Sequence, residues 1–397
     1  MCESERAEGH RSGSTEAMDS KTSELPTFQT SGRIPVTEAV GTVLAHDITE
    51  IRQGEFKGRA FKKGHVIREE DVCHLQRLGK EHLFVLNIAD DEIHEDDAAY
   101  ALAHALMGEG VKIREEPKEG KISIVAETDG LLKINKDALL AFNMLGDVMC
   151  GTIHSNTIVK KGQTVAGTRA IPLILKKDSV EAAVKIGEQA GKIIQVKAIR
   201  KPKAGVVITG NEVYQGKIKD AFAPIITEKI KTIDGEIVGI YYAPDDESFI
   251  EARLKELINA GADLLITTGG MSVDPDDVTR FAIKNLGATD IAYGSAVLPG
   301  AMFLVAYIET GDRASGLGIS KEIAPERDSQ TPSPQPQIPI LGIPACGMYA
   351  KTTIFDLVLP RVLAGEKVGR RELAKLGHGG LCLKCAECNY PICPFGK

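Results

Sequence analysis

From Ala204 onward the chain repeats one unit: a short apolar run, a polar turn, then an amphipathic helix. Ala204–Thr209 (AGVVIT), Gly235–Tyr241 and Asp263–Thr268 (DLLITT) are runs of strand length. Between them Ile226, Ile230 and Ile233 fall at i, i+4 and i+7. Ile250, Leu254, Leu257 and Ile258 mark a second helix that Asp245 and Asp246 can cap. Val278, Phe281, Ala282 and Leu286 predict a third helix, stopped by Gly287. Strands are expected at Met302–Ile308 and Ile338–Ile343, and a last helix through Ile354, Leu357 and Val358. Strands that are apolar on both faces and alternate with helices need cover on both sides. The expected fold class is therefore α/β, a doubly wound, mostly parallel sheet over residues 203–365.

The rest of the chain lacks this rhythm. Residues 1–30, rich in Glu, Ser, Thr and Gly, read as a disordered leader. Residues 31–90 read as a small β-rich unit with a helix near Glu69–Leu78, and 91–200 as an α+β middle region. That region places Ala99, Leu102, Ala103 and Leu106 at helical spacing, and Val180, Ala183, Val184 and Gly187 on one face of a later helix. A Pro-, Ser- and Gln-rich stretch, 309–337, reads as a mobile insertion at a strand connection. Residues 366–397 form a Cys-rich tail.

Charge narrows the function classes. With 48 basic and 55 acidic side chains the net charge is −7, which argues against a dedicated nucleic-acid binder. Apolar runs stay below the ~18 residues of a membrane span, and the first residues carry no secretory pattern. Four of the eight cysteines crowd the last sixteen residues, unlike the spread of a disulfide framework, so a reducing cytoplasm is the expected setting.

Candidate chemistry gathers where the strands end, because open α/β sheets bind ligands outside their carboxyl edge. Thr209, Gly210, Asn211 and Glu212 follow the first strand, with Asp220 beyond them. Thr267, Thr268, Gly269, Gly270, Met271 and Ser272 follow the third, leading to Asp274, Asp276 and Asp277. Gly342–Gly347 (GIPACG) follows the last. A glycine pair admits a ligand close to the backbone, helix-start N–H groups favour phosphate, and hydroxyls add donors. The carboxylates suit a divalent cation or the N–H groups of a heterocycle. The site thus reads as one for a phosphorylated heterocycle with a metal. Each feature also has a plain alternative, since a Gly pair can be a turn and an Asp before a helix a cap.

In order, T-G-N-E (209–212), Asp220, P-D-D (244–246), T-T-G-G-M-S-V-D-P-D-D-V-T (267–279), L-P-G (298–300) and G-I-P-A-C-G (342–347) resemble the molybdopterin-binding domain shared by the gephyrin/MoeA insertases and the MogA/MoaB adenylyltransferases. GTVLAHDI (41–48) is similar to the start of the insertase type. The resemblance implies an enzyme of molybdenum-cofactor assembly, a molybdotransferase taking Mg²⁺, adenylylated molybdopterin and molybdate and releasing AMP. It further implies that Asp277, Asp220 and Glu212 are catalytic. Thr209, Gly210, Thr268, Gly269, Gly270, Ser272, Asp274, Pro299, Gly300 and Pro344 would hold the cofactor, and the chain would pair as a homodimer. Two departures stand out: the lysine-bearing K-P-G-K-P of the insertases is Val297-Leu298-Pro299-Gly300-Ala301 here, and their L-P-G-N-P is Ile343-Pro344-Ala345-Cys346-Gly347. The alternatives are a non-catalytic molybdopterin carrier or sensor and, ranked last because the domain begins so late, the competence-damage-inducible family with its nucleotide hydrolysis.

The tail spaces Cys382, Cys385, Cys388 and Cys393 as C-x2-C-x2-C-x4-C-P. That approaches the bacterial ferredoxin run and also suits four thiolates on zinc. An iron–sulfur cluster and Zn²⁺ are both left open, as is a Cys-rich end that binds nothing.

Overall fold

The computed structural model describes residues 33–52, 56–85, 89–271, 278–309 and 337–397. The expected leader and nearly all of the insertion lie outside these residues. The chain divides into two compact units, with the boundary between Asn87 and Ile88. In the first, strand Arg33–Pro35 pairs with His82–Phe84, and Ile48–Arg52 with Phe56–Phe61. Val36, Leu44, Phe61, Ile67, Leu75 and Leu83 form its core, with Leu75 supplied by the helix Glu69–Arg77.

The second unit opens with the middle region. An antiparallel sheet in the order 111–113, 121–126, 164–170, 148–152 is joined by a three-stranded one. Helices Glu95–Leu106 and Lys177–Gln189 pack against each other beside it. Gly187 is required at their contact, since a Cβ there would sit 2.2 Å from the Ala105 carbonyl oxygen.

The α/β domain follows. Its strands are β1 (Lys203–Thr209), β2 (Glu236–Ala243), β3 (Leu264–Thr268), β4 (Thr289–Tyr293), β5 (Leu304–Glu309) and β6 (Gln337–Ile343). The helices are α1 (Asn211–Tyr214), α2 (Phe222–Lys231), α3 (Glu247–Asn259), α4 (Thr279–Asn285), α5 (Ile354–Leu363) and α6 (Arg370–Lys375). The sheet order is β2-β1-β3-β6-β5-β4. Strands β2, β1, β3 and β6 are parallel, while β5 pairs antiparallel with β6 and β4 with β5.

The two faces bury different sets. Val206, Ile208, Ile266 and Leu341 meet α2 and α5 through Ile226, Ile230, Phe355 and Val358. Val207, Leu265 and Ile340 meet α3 and α4 through Leu254, Leu257 and Ile283. Alternation along a strand sends neighbouring residues to opposite layers, so both must be apolar. β4 went unmarked in the sequence because TDIAY exposes three of its five residues. The insertion leaves from a hairpin: Glu309 and Gln337, expected inside it, are the last paired rung of β5 and β6.

Residues after α5 stay on this core. Val368, Leu373, Leu376 and Phe395 are buried in the same cluster as α5, with Cys382, Tyr390 and Cys393 packed against it. The Tyr390 hydroxyl donates to the Asp356 carbonyl at 3.2 Å, and Lys397 Nζ donates to Thr157 Oγ1 at 3.1 Å in the middle region. The Cys-rich tail is a packed wall of the domain.

Candidate functional site

At the carboxyl edge of the sheet, β3 ends in a turn that only glycine can make. Gly269 and Gly270 have φ of +76° and +56°, where an L side chain is strained. A Cβ on Gly270 would also lie 2.3 Å from Thr279 Oγ1. Thr209 Oγ1 donates to the Thr268 carbonyl at 2.7 Å and lies 3.1 Å from Thr279 Oγ1. Three buried threonines, at the ends of β1 and β3 and the start of α4, thus fix the glycine turn. Thr267 and Thr268 hydroxyls are buried without a hydrogen-bond partner among the described residues.

Beside the turn lies a cleft of about 580 Å³. Its wall includes Gly269, Gly270, Pro299, Gly300, Pro344 and Cys346, together with Leu381, Cys382 and Lys384 of the tail. The tail is fastened there by backbone: Leu298 N–H donates to the Gly380 carbonyl and Cys382 N–H to the Leu298 carbonyl, each at 2.8 Å. A second cleft of about 540 Å³ shares Pro299, Cys346, Cys382 and Lys384 and continues past Lys351, Cys385, Cys388 and Cys393.

The expected residues therefore separate. Gly269, Gly270, Pro299, Gly300 and Pro344 share the first cleft, and Cys346 joins them. Thr209 and Thr268 sit behind the turn as its buried support. Gly210 opens α1 with φ +137° and, like the exposed Glu212, is absent from the cleft wall. Asp220 turns to local work: Oδ1 accepts from Phe222 N–H at 2.8 Å and Oδ2 from Ala223 N–H at 3.0 Å, capping α2, while the Tyr242 hydroxyl donates to Oδ2 at 3.2 Å. Asp246 caps α3 through Phe249 N–H, and Asp245 accepts from Asn211 N–H. Ser272, Asp274 and Asp277 lie outside the described residues.

For a divalent ion, the described carboxylates at this edge are Glu212, Asp220, Asp245 and Asp246, while the expected Asp274 and Asp277 lie outside the described residues. Asp220 and Asp246 cap helix N-termini and Asp245 accepts from Asn211 N–H, so these four alone do not make up the oxygen set of a Mg²⁺ site. The four tail cysteines line the second cleft, yet no group of three or more His, Cys, Asp or Glu side chains among the described residues is placed to hold a metal. The thiols differ in character instead. Hydrogen bonding with Thr352, 3.4 Å away, holds the exposed Cys388 thiol below its ordinary range, and the Tyr390 backbone assists. Burial pushes Cys346 up, and Cys150, deep in the middle region, up to about 12.

Sequence reasoning missed Lys384 and the tail's place in the wall. Nothing in the spacing of a Cys-rich tail tells which edge of a sheet it covers.

Residues 205–364 match the family described as "probable molybdopterin binding domain", and residues 33–87 match one described only as a domain of unknown function. A CinA-like protein of Mycobacterium avium (strain 104) is 38% identical over 77 residues, 19% of this chain and 18% of that protein. A CinA-like protein of Mycolicibacterium vanbaalenii is 32% identical over 95 residues, covering 24% and 22% of the two chains. These matches span about a fifth of the relatives' length. Among solved structures, the tungsten cofactor synthesizing protein MoaB from Pyrococcus furiosus shares 20% identity, covering 43% of this chain and all of that one at a TM-score of 0.28. Another, a molybdenum cofactor biosynthesis protein from the same organism, covers 85% of this chain and 65% of its own at 15% identity and a TM-score of 0.22. The match to a probable molybdopterin binding domain thus falls on the α/β domain, residues 205–364, and covers less than half of the chain.

Proposed function

We propose that this protein binds molybdopterin in the cleft at Gly269–Gly270 and acts in molybdenum cofactor assembly, inserting molybdate into the adenylylated pterin with release of AMP. The carrying observation is that five residues of the matched domain expected from sequence to hold the cofactor line one cleft of about 580 Å³, which the tail completes. That volume suits a ligand of cofactor size. The glycine turn lets backbone come within reach of the ligand's phosphate, and the apolar rim of Leu298, Pro299 and Met302 offers a face for the flat ring. Mg²⁺ dependence, action as a homodimer and a cytoplasmic setting belong to the same proposal.

A second reading is favoured by the CinA-like relatives: the same cleft holds a nucleotide and the domain hydrolyses it. A third keeps the binding and drops the transfer, leaving a carrier or sensor. One experiment separates all three. Anaerobically purified full chain is given adenylylated molybdopterin with and without Mg²⁺ and molybdate, and AMP and bound pterin are recorded. Molybdate-dependent AMP release supports insertion. Binding without release supports the carrier, and release that ignores molybdate supports hydrolysis.

A further inference from the structure

The charge of the two clefts is one-sided. Lys384 is the only charged side chain among the described residues lining the first. The second adds Lys351, and among the described residues neither wall contains a carboxylate. Two lysines of the domain side are matched, Lys229 with Asp356 and Lys367 with Asp290, as is Lys133 of the middle region with Glu366. Lys384 and Lys351 have no ion-pair partner among the described residues, though each sits beside an otherwise mostly apolar wall. Lys384 is also held in place. It follows the two backbone bonds that fasten the tail at Leu298, and its own φ is +50°, a conformation a lysine keeps only where the surrounding chain imposes it. Two ammonium groups lining one cleft, with no carboxylate among its described residues, favour an anion.

We propose that the Cys-rich tail completes the site by delivering Lys384, which with Lys351 forms a subsite for a tetrahedral oxyanion, the chemistry shared by a phosphate group and molybdate. This deepens the proposed function, since it assigns the anionic part of the ligand to the cleft shared by tail and rim. It explains how a rim that reads Leu298-Pro299-Gly300-Ala301, without a lysine, can still face a charged ligand: the cation comes from another part of the chain. Compact ammonium charges suit such an anion as point charges.

The test is calorimetric titration of the full chain with inorganic phosphate and, separately, sodium molybdate, at fixed ionic strength. Wild type is expected to bind at least one. Lys384→Gln should weaken that binding about tenfold or more, in line with a lost charge-assisted hydrogen bond, and Lys384→Arg should recover most of it. Lys375→Gln, on exposed α6, should change nothing, and unaltered thermal transitions show that the variants fold. Binding of phosphate alone assigns the subsite to the ligand's phosphate, and of molybdate alone to the incoming metal oxyanion. A wild type that binds neither, or a Lys384→Gln that binds as wild type does, overturns the proposal. Pterin binding measured on the same variants keeps the two readings apart. A wild type that takes the anions but not the pterin removes the proposed function and leaves the anion subsite, whereas pterin bound unchanged by Lys384→Gln does the reverse.

Discussion

At Gly270 two constraints coincide, a positive φ and a neighbour 2.3 Å from where a Cβ would stand. Gly41 has a φ of +85° but open space around it. Gly270→Ala should therefore cost about 2 kcal/mol or more, against about 1 for Gly41→Ala, because only the first adds a steric clash to backbone strain. Denaturant unfolding of both variants checks the difference. The thiols supply a second residue-scale prediction. Cys388, acidified by Thr352 and exposed, should alkylate first at neutral pH; Cys346 should follow slowly, and Cys150 should stay unmodified until the protein unfolds. Mass mapping of a timed alkylation gives the order, and a Cys388 no faster than Cys346 would contradict it.

Among the elements, the tail is the one whose role the sequence concealed. Phe395 is 4% exposed and sits in the cluster of Leu357 and Val358. Phe395→Ala should cost about 3–5 kcal/mol by loss of burial and the cavity left behind. It should also raise hydrogen exchange at Cys382, whose amide is tied to the Leu298 carbonyl. Equal protection in the variant would mean that the tail's end and its cleft wall are independent. The strands and helices of the parallel half were legible because most buried positions there are apolar and the helices keep a 3.6-residue period. β4 was not, since an edge strand with three exposed residues carries no such mark. Asp220 shows the matching limit at the site. Its place after a strand was readable, but a carboxylate before a helix can cap or bind a ligand, and only the geometry shows both its oxygens on α2 and Tyr242.

Across the second unit, a half-buried ionic network joins the middle region to the α/β domain. Glu366 accepts from Arg361 Nε at 3.0 Å and from Lys133 Nζ at 2.7 Å, and Lys133 also donates to Asn156. Although burial alone would raise it, the two cations hold the Glu366 carboxyl down at about 2. A carboxyl lowered on folding adds stability that is full above its unfolded value of 4.5 and lost as pH falls through about 2. Glu366→Gln should cost on the order of 2 kcal/mol at neutral pH, with the gap to wild type closing between about pH 4.5 and 2. A gap that ignores pH across that window would remove the network from the account.

The proposed ligand position is the cleft formed by the Gly269–Gly270 turn, the Pro299–Gly300 rim and the tail. Hydrogen exchange of the full chain with and without molybdopterin tests it most directly. Slower exchange at Gly269–Met271, Gly300–Met302, Ala345–Cys346 and Leu381–Lys384, with the middle region unchanged, is the predicted result. Protection confined to the middle region, or none at the cleft with pterin bound, would place the ligand elsewhere.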